Sequence, residues 1–139
     1  MRLVFDTNIA IAALLWHGPP RQLLDRIIDE STIELFASPL LLREFSDVLH
    51  RPKFAQRISA AGLTADALLA NYVELISIIA SPPLSQRVSR DPDDDAVLAC
   101  AITVNADAII SGDQDLLVLD VFQSIPILTA TQMLGLIVR

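Results

Sequence analysis

Short apolar runs of four or five residues alternate along this chain with longer stretches whose apolar positions recur at helical spacing, so strands are predicted to interleave with helices. Arg2–Asp6 reads as a strand ending on an acid, and Thr7-Asn8 as the cap of a helix through about Leu15. The segment Trp16-His17-Gly18-Pro19-Pro20 breaks it, and Pro20 suits the first turn of a second helix carrying Leu23, Leu24, Ile27 and Ile28. Ile33–Ala37 is the second strand, and Ser38-Pro39 opens a third helix with an apolar face of Leu41, Leu42, Phe45, Val48 and Leu49. Arg51-Pro52-Lys53 interrupts before an amphipathic stretch to Ala61 and a stop at Gly62. A helix from Thr64 to about Glu74 and a strand at Ile76–Ala80 follow. Ser81–Pro92 is the most loop-like segment, and Asp94 or Asp95 begins a helix through Val104. Ala108–Ile110 is a strand closed by the turn Gly112-Asp113, Ile125–Leu128 the last strand, and Thr129–Ile137 a terminal helix.

Parallel strands need crossover connections, so this alternation predicts an α/β fold with a mostly parallel sheet covered by helices on both faces. Such sheets bind ligands at the carboxyl ends of their strands, near the switch in strand order. The 139 residues fit one domain, 1–139, and a chain that is 53% hydrophobic can cover both faces of a buried sheet.

Composition narrows the chemistry. The single cysteine, Cys100, lies in an apolar setting, which excludes an intrachain disulfide and a cysteine-based zinc site and suits a reducing cytoplasm. An acid at position 6 comes too early for a secretory signal, and no apolar run approaches the ~20 residues a membrane helix needs, so a soluble cytoplasmic protein is expected. A formal charge of −7 argues against a broad basic surface for nucleic acid, although bound cations would cancel several carboxylates.

Those carboxylates are the informative residues. Asp6, Asp95 and Asp113 all fall at the carboxyl edge of the predicted sheet, and Glu44, early in the third helix, can point to the same edge. Each has an ordinary alternative: a cap for Asp6 or Asp95, an exposed position for Glu44, a turn for Asp113. Asp91, Asp93, Asp94 and Asp95 nevertheless crowd five positions where capping needs one or two acids. Carboxylates converging on one point repel unless a cation lies between them, and oxygen-only ligands favour Mg²⁺ or Mn²⁺. That chemistry suits phosphodiester hydrolysis. No phosphate-binding glycine loop is present, and His17 and His50 stand in no nucleophilic arrangement. Trp16 reads as a core or dimer-contact residue.

Four motifs together resemble the PIN-domain nucleases, over essentially the whole chain. Val4-Phe5-Asp6-Thr7-Asn8 is similar to the family's opening strand motif, and Ser38-Pro39 with Leu42-Arg43-Glu44-Phe45 to its second. Arg90-Asp91-Pro92-Asp93-Asp94-Asp95 before Ala96-Val97-Leu98-Ala99 resembles the third, and Ser111-Gly112-Asp113-Gln114-Asp115-Leu116 the fourth. The resemblance, strongest to VapC-like toxins, implies a three-layer α/β/α fold and Mg²⁺- or Mn²⁺-dependent cleavage of RNA. It implies Asp6, Glu44, Asp95 and Asp113 as ligands and catalytic residues, with Thr7, Asn8, Ser111 and Asp93 in support. Because the acidic run is long, the third ligand can be shared with Asp93 or Asp94. The resemblance further implies a homodimer and a cognate antitoxin.

Among the basic residues flanking the acidic motifs, Arg43 and Arg90 are candidates to meet RNA, and Arg51, Lys53, Arg57 and Arg87 are further ones. Two other readings are open. A PIN-like module can bind RNA or protein without catalysis. A receiver-type phosphoacceptor also gathers acids at a sheet edge, but needs a lysine after a late strand, and Lys53 is the only lysine.

Overall fold

Strands β1 (Arg2–Phe5), β2 (Glu34–Ala37), β3 (Ser77–Ile78), β4 (Ala108–Ile110), β5 (Val121–Phe122) and β6 (Ile125–Leu128) form one sheet in the order β3-β2-β1-β4-β6-β5. These features come from a computed structural model that describes residues 1–137; the last two residues of the expected domain lie outside it. All pairings are parallel except β5 with β6. Helices α1 (Thr7–Leu15), α2 (Pro19–Asp29), α3 (Pro39–Leu49), α4 (Pro52–Ala60), α5 (Ala65–Leu75), α6 (Pro92–Thr103), α7 (Gln114–Leu117) and α8 (Ala130–Ile137) complete the fold.

Strand side chains alternate between two cores, which is why the chain makes three layers. Leu3 and Phe5 of β1, Leu35 of β2, and Ala108 and Ile110 of β4 pack with α1, α2, α5, α8 and most of α3. Val4, Phe36 and Ile109 point the other way, onto Val97, Leu98, Cys100 and Ala101 of α6. The helix α6 is therefore apolar nearly all round, as an element packed between sheet and neighbours must be. Cys100 is fully buried there, as its setting predicts, and burial pushes its thiol up to about 11.

Three boundaries differ from the sequence reading. Asp6, not Thr7-Asn8, caps α1, accepting from the backbone N–H of Ile9 at 2.8 Å. Helix α6 begins at Pro92 rather than at Asp94 or Asp95: Asp91 caps it, and proline at the first helical position forfeits no hydrogen bond. Strand β3 pairs only with β2 and is limited to two residues. Helix α7 and the β5–β6 hairpin were not anticipated.

The order of the sheet locates the site. From β1 the chain crosses to β2 on one side, and β4 later pairs on the other, so the carboxyl ends of β1 and β4 form the switch point. The backbone N–H of Asp6 still bonds the Ile110 carbonyl at 3.0 Å, which fixes the ends of the two strands together.

Candidate active site

A small cleft opens at this switch point, lined by Asp6, Thr7, Asn8, Glu44, Asp91, Asp93, Asp94, Val97 and Asp113. Asp6 forms its floor and is 4% exposed. One of its oxygens caps α1 through Ile9, and the other accepts a hydrogen bond from the fully buried Ser111 hydroxyl on the far side of the switch. The same hydroxyl accepts from the backbone N–H of Asp113 at 2.9 Å, and Asp113 in turn caps α7 by accepting from Asp115 N–H. Burial raises the Asp6 carboxyl above its usual range, against the hydrogen bonds from Ser111, Ile9 and Gly112, while nearby Asp113 adds to the rise.

Above this floor, Asp91, Asp94 and Asp113 each bring a carboxylate oxygen within 4.8 Å of the other two. Asp94 is 5% exposed, and burial together with the charges of Asp113 and Asp91 pushes its carboxyl up to about 7. Glu44 reaches the cleft from α3 and is also pushed up to about 7, by burial first and then by Asp93 and Asp91, with the Thr7 side chain opposing. Among the described residues, the ion pairs join Arg21 to Asp25, Arg26 to Glu30, His50 to Asp66 and Arg90 to Asp115, and involve none of the five clustered acids Asp6, Glu44, Asp91, Asp94 and Asp113. Carboxylates gathered without a basic partner, two of them (Asp6 and Asp94) buried, repel as they stand and match the oxygen-donor set that Mg²⁺ and Mn²⁺ take.

Of the acids expected from the sequence, Asp6, Glu44, Asp93 and Asp113 line the cleft, with Thr7 and Asn8 beside them and Ser111 underneath. Asp95 does not. Its carboxylate accepts from the backbone N–H of Ser89 at 2.7 Å and of Val88 at 3.2 and 3.3 Å, facing an apolar groove with Pro82 and Pro83. Helix phase explains the exchange. With Asp91 as cap, Asp94 is the third helical residue and lies on the same face as Val97, whereas Asp95 is turned a further ~100°. The sequence carried that signal in Asp91-Pro92, a cap followed by proline, which sets the start of the helix three residues earlier than a start at Asp95.

The other candidates sit apart. Arg43 is exposed, and Arg90 is 3.5 Å from Asp115 at the rim. Arg57 donates to the Leu15 carbonyl at 2.7 Å and stacks over Trp16, which meets Phe54 edge-on. Trp16 itself is exposed rather than part of the core, whereas Leu15 beside it is buried. Lys53 lies over Phe54 on α4 and does not line the cleft, unlike the lysine a receiver requires. No helix among the described residues is long and apolar enough to cross a membrane.

Comparison with known proteins bears on the family and the fold. The family described as PIN domain matches residues 2–115. An uncharacterised protein of Methanocaldococcus jannaschii is 32% identical over 118 residues, spanning 84% of this chain and 74% of that protein. In the solved structure of VapBC2 from Rickettsia felis bound to a DNA fragment from its promoter, one chain has a TM-score of 0.61. The match covers 91% of this chain and 97% of that one at 14% identity, a likeness of fold.

Proposed function

Because the chain belongs to the PIN-domain family, we propose that it is a metal-dependent endoribonuclease that hydrolyses RNA phosphodiester bonds. The observation that carries this reading is the buried Asp94 carboxylate held against Asp91 and Asp113 with no basic side chain to neutralise the three. Asp6, Asp94 and Asp113 would hold Mg²⁺ or Mn²⁺, with Glu44 and Asp91 completing the oxygen set. A bound divalent ion supplies Lewis-acid activation of a water and neutralises charge on the phosphoryl group.

The chain's own residues do the rest. Asp6 and Asp113 are held in register by the single Ser111 hydroxyl, so their spacing is set before any ligand arrives. Glu44 reaches the cleft from α3 beside Thr7 and would serve there as a ligand carboxylate. Asn8 and Asp93 line the mouth. Arg43 and Arg90 are the exposed cations on the flanking elements that would meet the RNA backbone.

The likeness to a chain of a VapBC2 assembly supports the further reading that this nuclease is the toxin of a toxin–antitoxin pair, with an antitoxin as its partner in the cytoplasm. A homodimer would cover exposed apolar side chains such as Leu40, Ile78 and Ile79.

The test is cleavage of labelled single-stranded RNA by purified protein in Mn²⁺, beside EDTA and Asp6→Asn controls. Cleavage should require the metal and fall at least about 100-fold in the variant, the upper size of effect seen when ligand partners are lost. Cleavage that survives EDTA, or persists in Asp6→Asn, would overturn the reading.

A further inference from the structure

We propose that Ser89 and Asp95, neither of which lines the carboxylate cleft, are positioning residues that set the Asp94 carboxylate. The inference rests on the nuclease reading of the cleft and adds a support to it. Ser89 is 8% exposed and sits in the segment that leads into α6. Its hydroxyl donates to one Asp94 oxygen at 3.1 Å and accepts from the backbone N–H of Asp91 at 3.3 Å. One hydroxyl thus touches two of the three clustered acids. It engages a single Asp94 oxygen, in a carboxylate that also brings an oxygen within 4.8 Å of those of Asp91 and Asp113.

Ser89 is itself gripped from both sides. Asp95 accepts its backbone N–H at 2.7 Å and that of Val88 through both carboxylate oxygens. Arg87 donates to the Ser89 carbonyl at 3.1 Å and, through another guanidinium nitrogen, to the Arg90 carbonyl. The segment is folded back on the first turn of the helix, so the hydroxyl is delivered in one orientation. An ordinary cap accepts from N–H groups within its own helix. Asp95, the fourth helical residue, accepts from outside it. Carboxylates that bind a metal depend on hydrogen bonds of this kind to hold their rotamer, and losing one typically weakens metal binding or activity by about 10–100-fold.

Mn²⁺ affinity measured by calorimetry, together with kcat and KM on labelled RNA, tests the inference in wild type, Ser89→Ala, Ser89→Thr, Asp95→Ala and the double variant Ser89→Ala/Asp95→Ala. Ser89→Ala should weaken Mn²⁺ binding about 10–100-fold and lower kcat comparably, with KM roughly unchanged because RNA binding is not touched. Ser89→Thr keeps the hydroxyl and should restore both. If Asp95 acts through Ser89, the double variant should be no worse than Ser89→Ala alone, whereas independent effects would multiply. Thermal melts report whether each variant folds, and the threonine variant separates the hydroxyl from the fold. Wild-type affinity in Ser89→Ala, or losses that multiply in the double variant, would overturn the inference while leaving the metal site standing. A wild-type protein that binds no Mn²⁺ would overturn the reading of the cleft and the inference with it.

Discussion

The Ser111 hydroxyl donates to Asp6 across the junction of β1 and β4, joining residues 105 positions apart, and the same oxygen accepts from the backbone N–H of Asp113. One buried atom therefore sets the distance between two acids of the cleft. Ser111→Ala leaves the buried Asp6 acceptor and the part-buried Asp113 N–H without this partner, a loss of about 1–3 kcal/mol for the buried group and less for the other. Urea denaturation should show a lower midpoint with an unchanged slope. Ser111→Thr, which keeps the hydroxyl but adds a methyl in a fully buried position, should lose less.

Asp94 and Asp95 are adjacent in sequence but face different surroundings, the cleft and the segment before α6, so their asparagine variants should differ. Asp94→Asn removes a charge from a repelling cluster and should melt above wild type in EDTA while losing its response to Mn²⁺. Asp95→Asn weakens acceptance from Ser89 and Val88 and should melt below wild type, by about 0.5–1.5 kcal/mol for a hydrogen bond of ordinary strength. Melting curves with and without metal decide between the two residues, and a rise in stability on Asp95→Asn would exchange their assignments.

The pH dependence of the metal-free protein has a definite sign. Asp94 and Glu44 are pushed from ordinary values of 3.8 and 4.5 up to about 7 in the folded chain. Well below pH 3.8 both are neutral whether the chain is folded or not, and their contribution to stability is fully present. As pH rises, the unfolded chain gives up these protons first, so stability falls until the folded carboxyls ionise near 7. In EDTA the protein should melt higher at about pH 5 than at about pH 7.5, with the drop reduced in Asp94→Asn and reversed by saturating Mn²⁺. A stability that rises across that window would contradict the raised carboxyls of both groups.

The turn between β5 and β6 places Gln123 and Ser124 at φ 48° and 70°, a left-handed pair that Asn-Gly occupies with little strain. Gln123→Asn with Ser124→Gly should stabilise the protein by about 1 kcal/mol, the lower end of the cost of such conformations. In calorimetry that corresponds to a rise in Tm of roughly 3–5 °C for a chain of this size. An unchanged or lower Tm would mean that the surrounding contacts relieve the strain.

The same turn explains what the sequence concealed. A two-residue hairpin is read from Asn-Gly or Asp-Gly, and Gln123-Ser124 gives no such signal, so β5 was missed together with the short α7 before it. The long apolar elements were plain because each buries one face of a recognisable period: α2 and α3 match their expected spans closely, and β1, β2, β4 and β6 fall where the apolar runs place them. The candidate site is legible as far as its edge of the sheet, since Asp6 directly follows β1 and Asp113 lies just past β4, two strands that pair in parallel. It is not legible to the residue at α6. A run of consecutive acids looks alike at every position, and only the phase set by Asp91-Pro92 turns Asp94 inward.

Asp6 is made more than 100 residues before Ser111 and Asp113, and β1 stays unpaired on the β4 side until then. Contacts of such separation close late because a long loop must be ordered before they form. If the cleft cuts RNA, the protein cannot do so while most of it is still being translated. The ribosome, itself largely RNA, carries a nascent chain whose cleft is still in two pieces.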